Sequence, residues 1–306
     1  MTDKEKTMYQ IMGIISESDA PIVFKGAMVT KLVLAESGFT AFSRETKDVD
    51  ANWVGDPPSM ESLGATINAA LERSGNSFMA TAFREHGDKR SAGFAFKDAE
   101  TGEEIFIMDI SIKPVVGSRV YRYGDMQIRG VLPNEILADK ITVMSTKSIF
   151  RRAKDIVDVY ALSHCVRVDT SEIFEVFRKN SEREVGAFTE FLVRRADIQH
   201  AYNKLTGVEG KPPFDDVYVH LSKFLHPFIE RDEAPKLWNI DTLTWDVPFR
   251  AVISEEKPSV MDEICSARKG RSDTPSYCTS KTKRKNGKRQ IRPHVRERAY
   301  LTLTIL

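Results

Sequence analysis

The sequence predicts an α/β (α+β) fold in which a mixed sheet flanked by helices is followed by a helical domain. Three observations carry this. Up to residue 131, short apolar or alternating runs are separated by Gly- and Asp-containing turns and interleaved with segments of helical period. From Pro133 to about residue 230 the apolar period is helical, with few strand signals. The chain has 306 residues, 41% of them apolar, which suffices for a sizeable core, and no apolar run approaches bilayer length. The predicted boundaries are 1–131 for the α/β domain, 132–260 for the helical domain and 261–306 for a basic tail that reads as disordered.

The elements follow in order. Residues 3–18 have the spacing of an amphipathic helix, without the features of a signal peptide. PIVFKG (21–26) is a short apolar strand ending in glycine, and 27–37 is a helix stopping near Gly38. Residues 47–54 alternate as a strand; 59–75 is a helix with a serine start and a glycine stop. Three β-rich runs follow at 77–86, 90–98 and 103–114, separated by the turns HGDK and ETGE. RVYRY and MQIRG form a hairpin around Gly124-Asp125. Helices are expected at 133–145, 149–164, 170–180, 186–205 and 214–230, with EGKPPF (209–214) as a loop. Residues 231–260 read as irregular, with Trp238 and Trp245 packing back onto the body. No internal repeat is present.

The three cysteines, Cys165, Cys265 and Cys278, show no CxxC spacing. They fit a reducing cytoplasm better than a disulfide framework or a zinc site. The six histidines show no metal-ligand spacing. The net charge of +1 hides an asymmetry: Arg268 to Arg298 holds 12 Lys/Arg against two acids, and the remainder 33 against 42. Such a tail suits the phosphate backbone of a nucleic acid, and equally suits a solubilising terminus.

Candidate chemistry begins at RETKDVDANW (44–53). Alternate strand side chains share a face, so Asp48 and Asp50 point the same way with Val49 behind them. Two ionised carboxylates that close repel unless solvated or bridged by a cation. Paired oxygen ligands suit Mg²⁺ (or Mn²⁺), which keeps waters and binds substrate phosphates. Asp109 lies in IFIMDISI, a strand otherwise apolar, where an unpaired carboxylate is costly. If that strand neighbours 47–54, three carboxylates converge as metal ligands for phosphoryl or nucleotidyl transfer.

FKGAMVTKLVL…SRETKDVDANW resembles the opening of the AbiEii toxin family within the nucleotidyltransferase superfamily, whose pattern is a strand, a Gly-Gly-[ST] turn, a helix, then R-x-[ST]-x-D-[IV]-D. Lys25, Gly26, Arg44, Thr46, Asp48, Val49 and Asp50 fit it; Ala27 and Met28 stand where the second glycine and a Ser or Thr are usual. Downstream, Lys140, Arg152, Asp155 and Asp158 match in type and order a family lysine followed by R-x-x-D-x-x-D. Asp155 and Asp158, three apart, share a helix face. The likeness covers about residues 20–165.

The resemblance implies a nucleotidyltransferase-like fold and a cytoplasmic toxin of a toxin–antitoxin, phage-defence pair. It implies an NTP substrate, an acceptor such as a tRNA 3′ end, and a DNA-binding antitoxin encoded nearby. Asp48, Asp50 and Asp109 would be metal ligands, Asp109 alternatively a base. Lys25, Gly26, Arg44, Thr46, Lys140 and Arg152 would contact the nucleotide. Asp155 or Asp158 would orient Lys140 or act as a base. The Ala27-Met28 departure suits an alternative, a protein that keeps the fold and binds nucleotide or RNA without catalysis. A protein hydroxyl is a further possible acceptor.

Overall fold

The computed structural model describes residues 2–56, 58–86, 91–112, 115–179 and 184–247. The first part runs α1 (Asp3–Glu17), β1 (Ile22–Lys25), α2 (Gly26–Glu36), β2 (Ser43–Arg44), β3 (Asp48–Trp53) and α3 (Met60–Arg73). Then come β4 (Phe78–His86), β5 (Ser91–Asp98), β6 (Glu104–Ile112), β7 (Ser118–Tyr123) and β8 (Met126–Val131). After residue 131 helices dominate: α4 (Pro133–Met144), a 3₁₀ turn (Lys147–Phe150), α5 (Ala153–Ser163), α6 (Thr170–Lys179), α7 (Thr189–Val193) and α8 (Arg195–Asn203). Last are β9 (Val208–Glu209), α9 (Phe214–Ile229), β10 (Leu237–Asn239) and β11 (Thr244–Asp246). All described residues fall in one compact unit.

Seven strands form one mixed sheet in the order β4-β5-β6-β3-β1-β8-β7. The pairs β3–β6 and β1–β8 are parallel and the rest antiparallel. The hairpin β7–β8 turns through Gly124-Asp125, where Gly124 has φ +57°. Helix α1 starts on a capping box between Thr2 and Glu5. Helix α3 starts on Ser59, whose hydroxyl accepts the Ser62 N–H.

Several expected elements differ. The helix expected over 149–164 is a 3₁₀ turn and a separate α5, because Arg152 leaves helical geometry (φ −123°, ψ 41°). That break frees Arg152 to lie beside Asp155. The helix expected over 186–205 splits at Arg194 (φ −108°, ψ 43°), whose guanidinium stacks on Phe150 and bonds Asp197. Tertiary contacts there override the helical period. Residues 237–246 form a hairpin where no regular structure is expected, and β2 pairs with β9 across the loop region. The HGDK turn and the basic tail extend beyond the described residues.

The two tryptophans do pack back. Trp238 is fully buried and donates its indole N–H to the Ser163 carbonyl at 2.6 Å; Trp245 donates to the Phe224 carbonyl at 3.1 Å. His220 beside them is a core residue, 2.6 Å from the Ser163 hydroxyl, and burial pushes its pKa down to about 4.

Candidate active site

Strand β3 turns Asp48, Asp50 and Asn52 to one face and the buried Val49, Ala51 and Trp53 to the other. Its neighbours extend these positions into rows. Asp50 lies opposite Lys25 on β1 and Asp109 on β6; Asp109 lies opposite Gly93 on β5, and Gly93 opposite Arg84 on β4. One step along, Asn52 lies opposite Ser111, and Ser111 opposite Ser91. A cleft of about 340 Å³ opens on this face. Lys25, Gly26, Asp50 and Asn52 line its floor, Ser111 and Ser91 one side, and Glu135, Asp139, Lys140 and Arg152 the other.

The carboxylate of Asp50 packs against the N-terminus of α2. Gly26 there has φ +68°, and a Cβ added to it would lie 2.2 Å from Asp50 Oδ2. Both the backbone and the approach require glycine. Burial, and next to it the charge of Asp48, raise the Asp50 pKa; Lys25, Lys154 and Lys140 oppose them through smaller Coulombic contributions. Thr46 is a positioning residue: its hydroxyl donates to Asp48 Oδ1 (3.1 Å) and its N–H to Glu5 (3.2 Å). Met28 is fully buried, and Thr30 donates its hydroxyl to the Gly26 carbonyl (2.8 Å), so neither offers a hydroxyl to the cleft. Gly26→Ala is expected to displace Asp50, costing roughly 1–2 kcal/mol of stability through φ alone. Any chemistry that uses the Asp50 carboxylate should slow by at least about a hundredfold. Thermal denaturation and an activity assay on one preparation check both.

The helical half supplies a buried charge network. Lys140 Nζ donates to Asp155 Oδ1 (2.9 Å) and Asp158 Oδ2 (2.7 Å). Arg44 grips Asp158 with two bonds, Nε to Oδ1 at 3.0 Å and Nη2 to Oδ2 at 2.9 Å. Arg152 Nε lies 2.8 Å from Asp155 Oδ2 as an ion pair without an aligned hydrogen bond. Burial alone would lower the Lys140 pKa, but Asp158 and Asp155 outweigh it and leave the ammonium stabilised. Burial would likewise raise Asp158, but Lys140 and Arg44 hold it down at about 2. So firmly ionised a carboxylate orients the lysine and is a poor proton acceptor. An ammonium has three N–H groups, so one remains for the cleft that Lys140 lines.

The structure therefore gathers Lys25, Gly26, Asp50, Lys140 and Arg152 around one cleft. Asp48 bears on Asp50 by charge, and Arg44 is spent on Asp158. Asp109 sits beside Asp50 in register, but its carboxylate is ion-paired with Arg84. Among the described residues no group of three or more His, Cys, Asp or Glu side chains is gathered as a metal site. The sequence reading missed Asn52 and Ser111, although each lies two residues beyond a named aspartate and so on the same face. It also missed Lys154, whose charge acts on Asp50.

A mixed sheet carrying paired carboxylates beside a glycine-started helix, closed by a held lysine, has the design of a nucleotidyltransferase. Residues 11–220 match the family described as "Nucleotidyl transferase AbiEii toxin, Type IV TA system". The chain belongs to this family. Among solved structures it is similar to MenT4, a nucleotidyltransferase toxin from Mycobacterium tuberculosis, at 15% identity and a TM-score of 0.42, over 79% of this chain and 92% of that one. It is also similar to an antigenic nucleotidyltransferase-like protein from Paracoccidioides brasiliensis, at 13% identity and a TM-score of 0.38, over 66% and 92%. No curated protein matches the sequence. No helix among the described residues is long and apolar enough to cross a membrane.

Proposed function

We propose that this chain transfers a nucleoside monophosphate from an NTP to an acceptor, an RNA 3′ end such as that of tRNA. It would act as the toxin of a cytoplasmic phage-defence pair, with a DNA-binding antitoxin encoded nearby. The observation that carries the reading is the Asp48–Asp50 pair on one face of β3, with Asp50 pressed against the start of α2. Burial, and next to it the charge of Asp48, raise the Asp50 pKa, so a cation beside that carboxylate would relieve it. A divalent ion, Mg²⁺ or Mn²⁺, fits that donor set, since such ions bind through one or two carboxylates plus substrate phosphates. Asp109 would join them as third ligand or serve as base once it leaves Arg84. Bound there, the metal would supply charge neutralisation at the reacting phosphate.

The chain's own residues do the rest. Lys140, held by Asp155 and Asp158, places its ammonium toward the triphosphate, and Arg152 and Lys25 add positive charge. The open N–H groups at the start of α2 suit phosphate oxygens. Asn52 holds Lys25 through a 2.6 Å bond.

A second reading is nucleotide or RNA binding without turnover. It is favoured by the buried Met28, which leaves the α2 turn without a side-chain hydroxyl. One experiment separates the two. Wild type and Asp48→Ala are incubated with Mg²⁺, total tRNA and each α-labelled NTP. Label in RNA from wild type, lowered at least about a hundredfold in the variant, supports transfer. Label in protein instead moves the acceptor to a protein hydroxyl. NTP binding with no label in either supports the second reading.

A further inference from the structure

Beyond the cleft, the active face of the sheet continues to its β4 edge, and the feature there is a bulge. The β4–β5 register slips between Ala82 and Arg84, so Phe83 is the extra residue. Simple alternation would send Phe83 and Arg84 to opposite faces. The bulge brings both onto the face of Asp50 and Asp109. Phe83 lies over Gly93, where an added Cβ would meet the ring at 2.9 Å, so the absent side chain leaves room for the ring. The Arg84 guanidinium stands 5.3 Å from the centre of the same ring and pairs with Asp109. Phe83 remains 49% exposed. A large aromatic seated on the sheet, half open to solvent and beside a cation, is a stacking surface for a nucleobase.

The charges say which base. The cations of the cleft come from β1, α4 and the residue before α5, beside the acids Glu135 and Asp139, whereas β6 and β5 contribute the neutral Ser111 and Ser91. The triphosphate belongs with these cations. In-line displacement places attacking and leaving oxygens on opposite sides of the phosphorus. The attacking hydroxyl therefore enters from the side of β6 and β5. Strand β5 is two strand spacings from β3, roughly 10 Å, on the side from which the acceptor nucleotide enters.

We infer that Phe83 and Arg84, seated on Gly93, form the platform on which the terminal base of a single-stranded RNA acceptor stacks. This deepens the transfer reading and rests on it. The site predicts tolerance among bases, since stacking reads a π-face rather than a hydrogen-bond pattern.

The test uses the full chain as wild type, Phe83→Ala and Phe83→Trp. The readouts are KM for the RNA acceptor, KM for the NTP, and anisotropy of a short labelled single-stranded RNA. Phe83→Ala is expected to raise the RNA KM and Kd about tenfold and leave the NTP KM within about twofold. Phe83→Trp should restore RNA affinity. Since Phe83 is half exposed, its melting temperature serves as the control for folding. An unchanged RNA KM and Kd in Phe83→Ala, or an NTP KM that rises in step, overturns the platform while the transfer reading stands. If wild type labels no RNA, the transfer reading fails, and the binding arm alone decides the platform: weaker binding by Phe83→Ala keeps it, equal binding removes it.

Discussion

Asp158→Ala is expected to lower the unfolding free energy by about 3–5 kcal/mol, the range seen when one partner of a buried ion pair is removed. Asp158 is the hub of the network, taking both bonds of Arg44 and one of Lys140. Without it, Arg44, Lys140 and Arg152 share Asp155 alone, in a region where Lys140 and Asp155 are almost wholly shielded from water. Urea unfolding at neutral pH measures the loss as a shifted midpoint with an unchanged slope. Arg44→Met, Lys140→Met, Asp155→Leu and Asp158→Leu together should recover much of it, because only Arg152, 43% exposed, then keeps a charge. The sign with pH follows from the depressed pKa. The stabilisation from Asp158 is full above its ordinary value of 3.8 and fades as pH falls toward about 2. The gap between wild type and Asp158→Ala should narrow over that window.

Asp50→Asn should do the opposite to stability while abolishing transfer. Burial, and next to it the charge of Asp48, disfavour the ionised form of Asp50, so a neutral isostere relieves the fold. The variant should melt at or above the wild-type temperature. Its transfer rate should fall by about a hundredfold or more, because one of the paired carboxylates is gone. A lower melting temperature would show that Lys25 and the α2 terminus over-compensate the repulsion, and that the site carries no stored cost. Opposed movements of stability and activity mark residues kept for chemistry.

How far the site can be read from sequence depends on the range of the contact. Asp48 and Asp50 are legible from a period of two alone. Asp155 and Asp158 share a helix face by spacing, Lys140 joins them through the family resemblance, and the structure adds that Lys140 touches both. Arg44 could be named but not placed, because its partner lies 114 residues away. The Phe83 bulge leaves no trace in SFMATAFREH, whose alternation misplaces one of the two side chains. The Arg152 break was hidden too, since the helical period runs through it and only tertiary contacts interrupt it. Strand runs and the helical second half were plain, whereas the short β2–β9 and β10–β11 pairings depend on what surrounds them.

The pairing of β1 with β8 also sets the order in which the site can be assembled during synthesis. The strand that delivers Gly26 to Asp50 is flanked on one side by a strand made about a hundred residues later. The lysine and the aspartates that hold it come later still, and Arg44 has no carboxylate to grip until Asp158 has been made. Contacts this distant in the chain form late. A nascent chain that has finished the sheet but not α5 presents the paired carboxylates without the oriented ammonium. On the proposed mechanism, such a chain lacks the group that meets the triphosphate until its helical half has emerged.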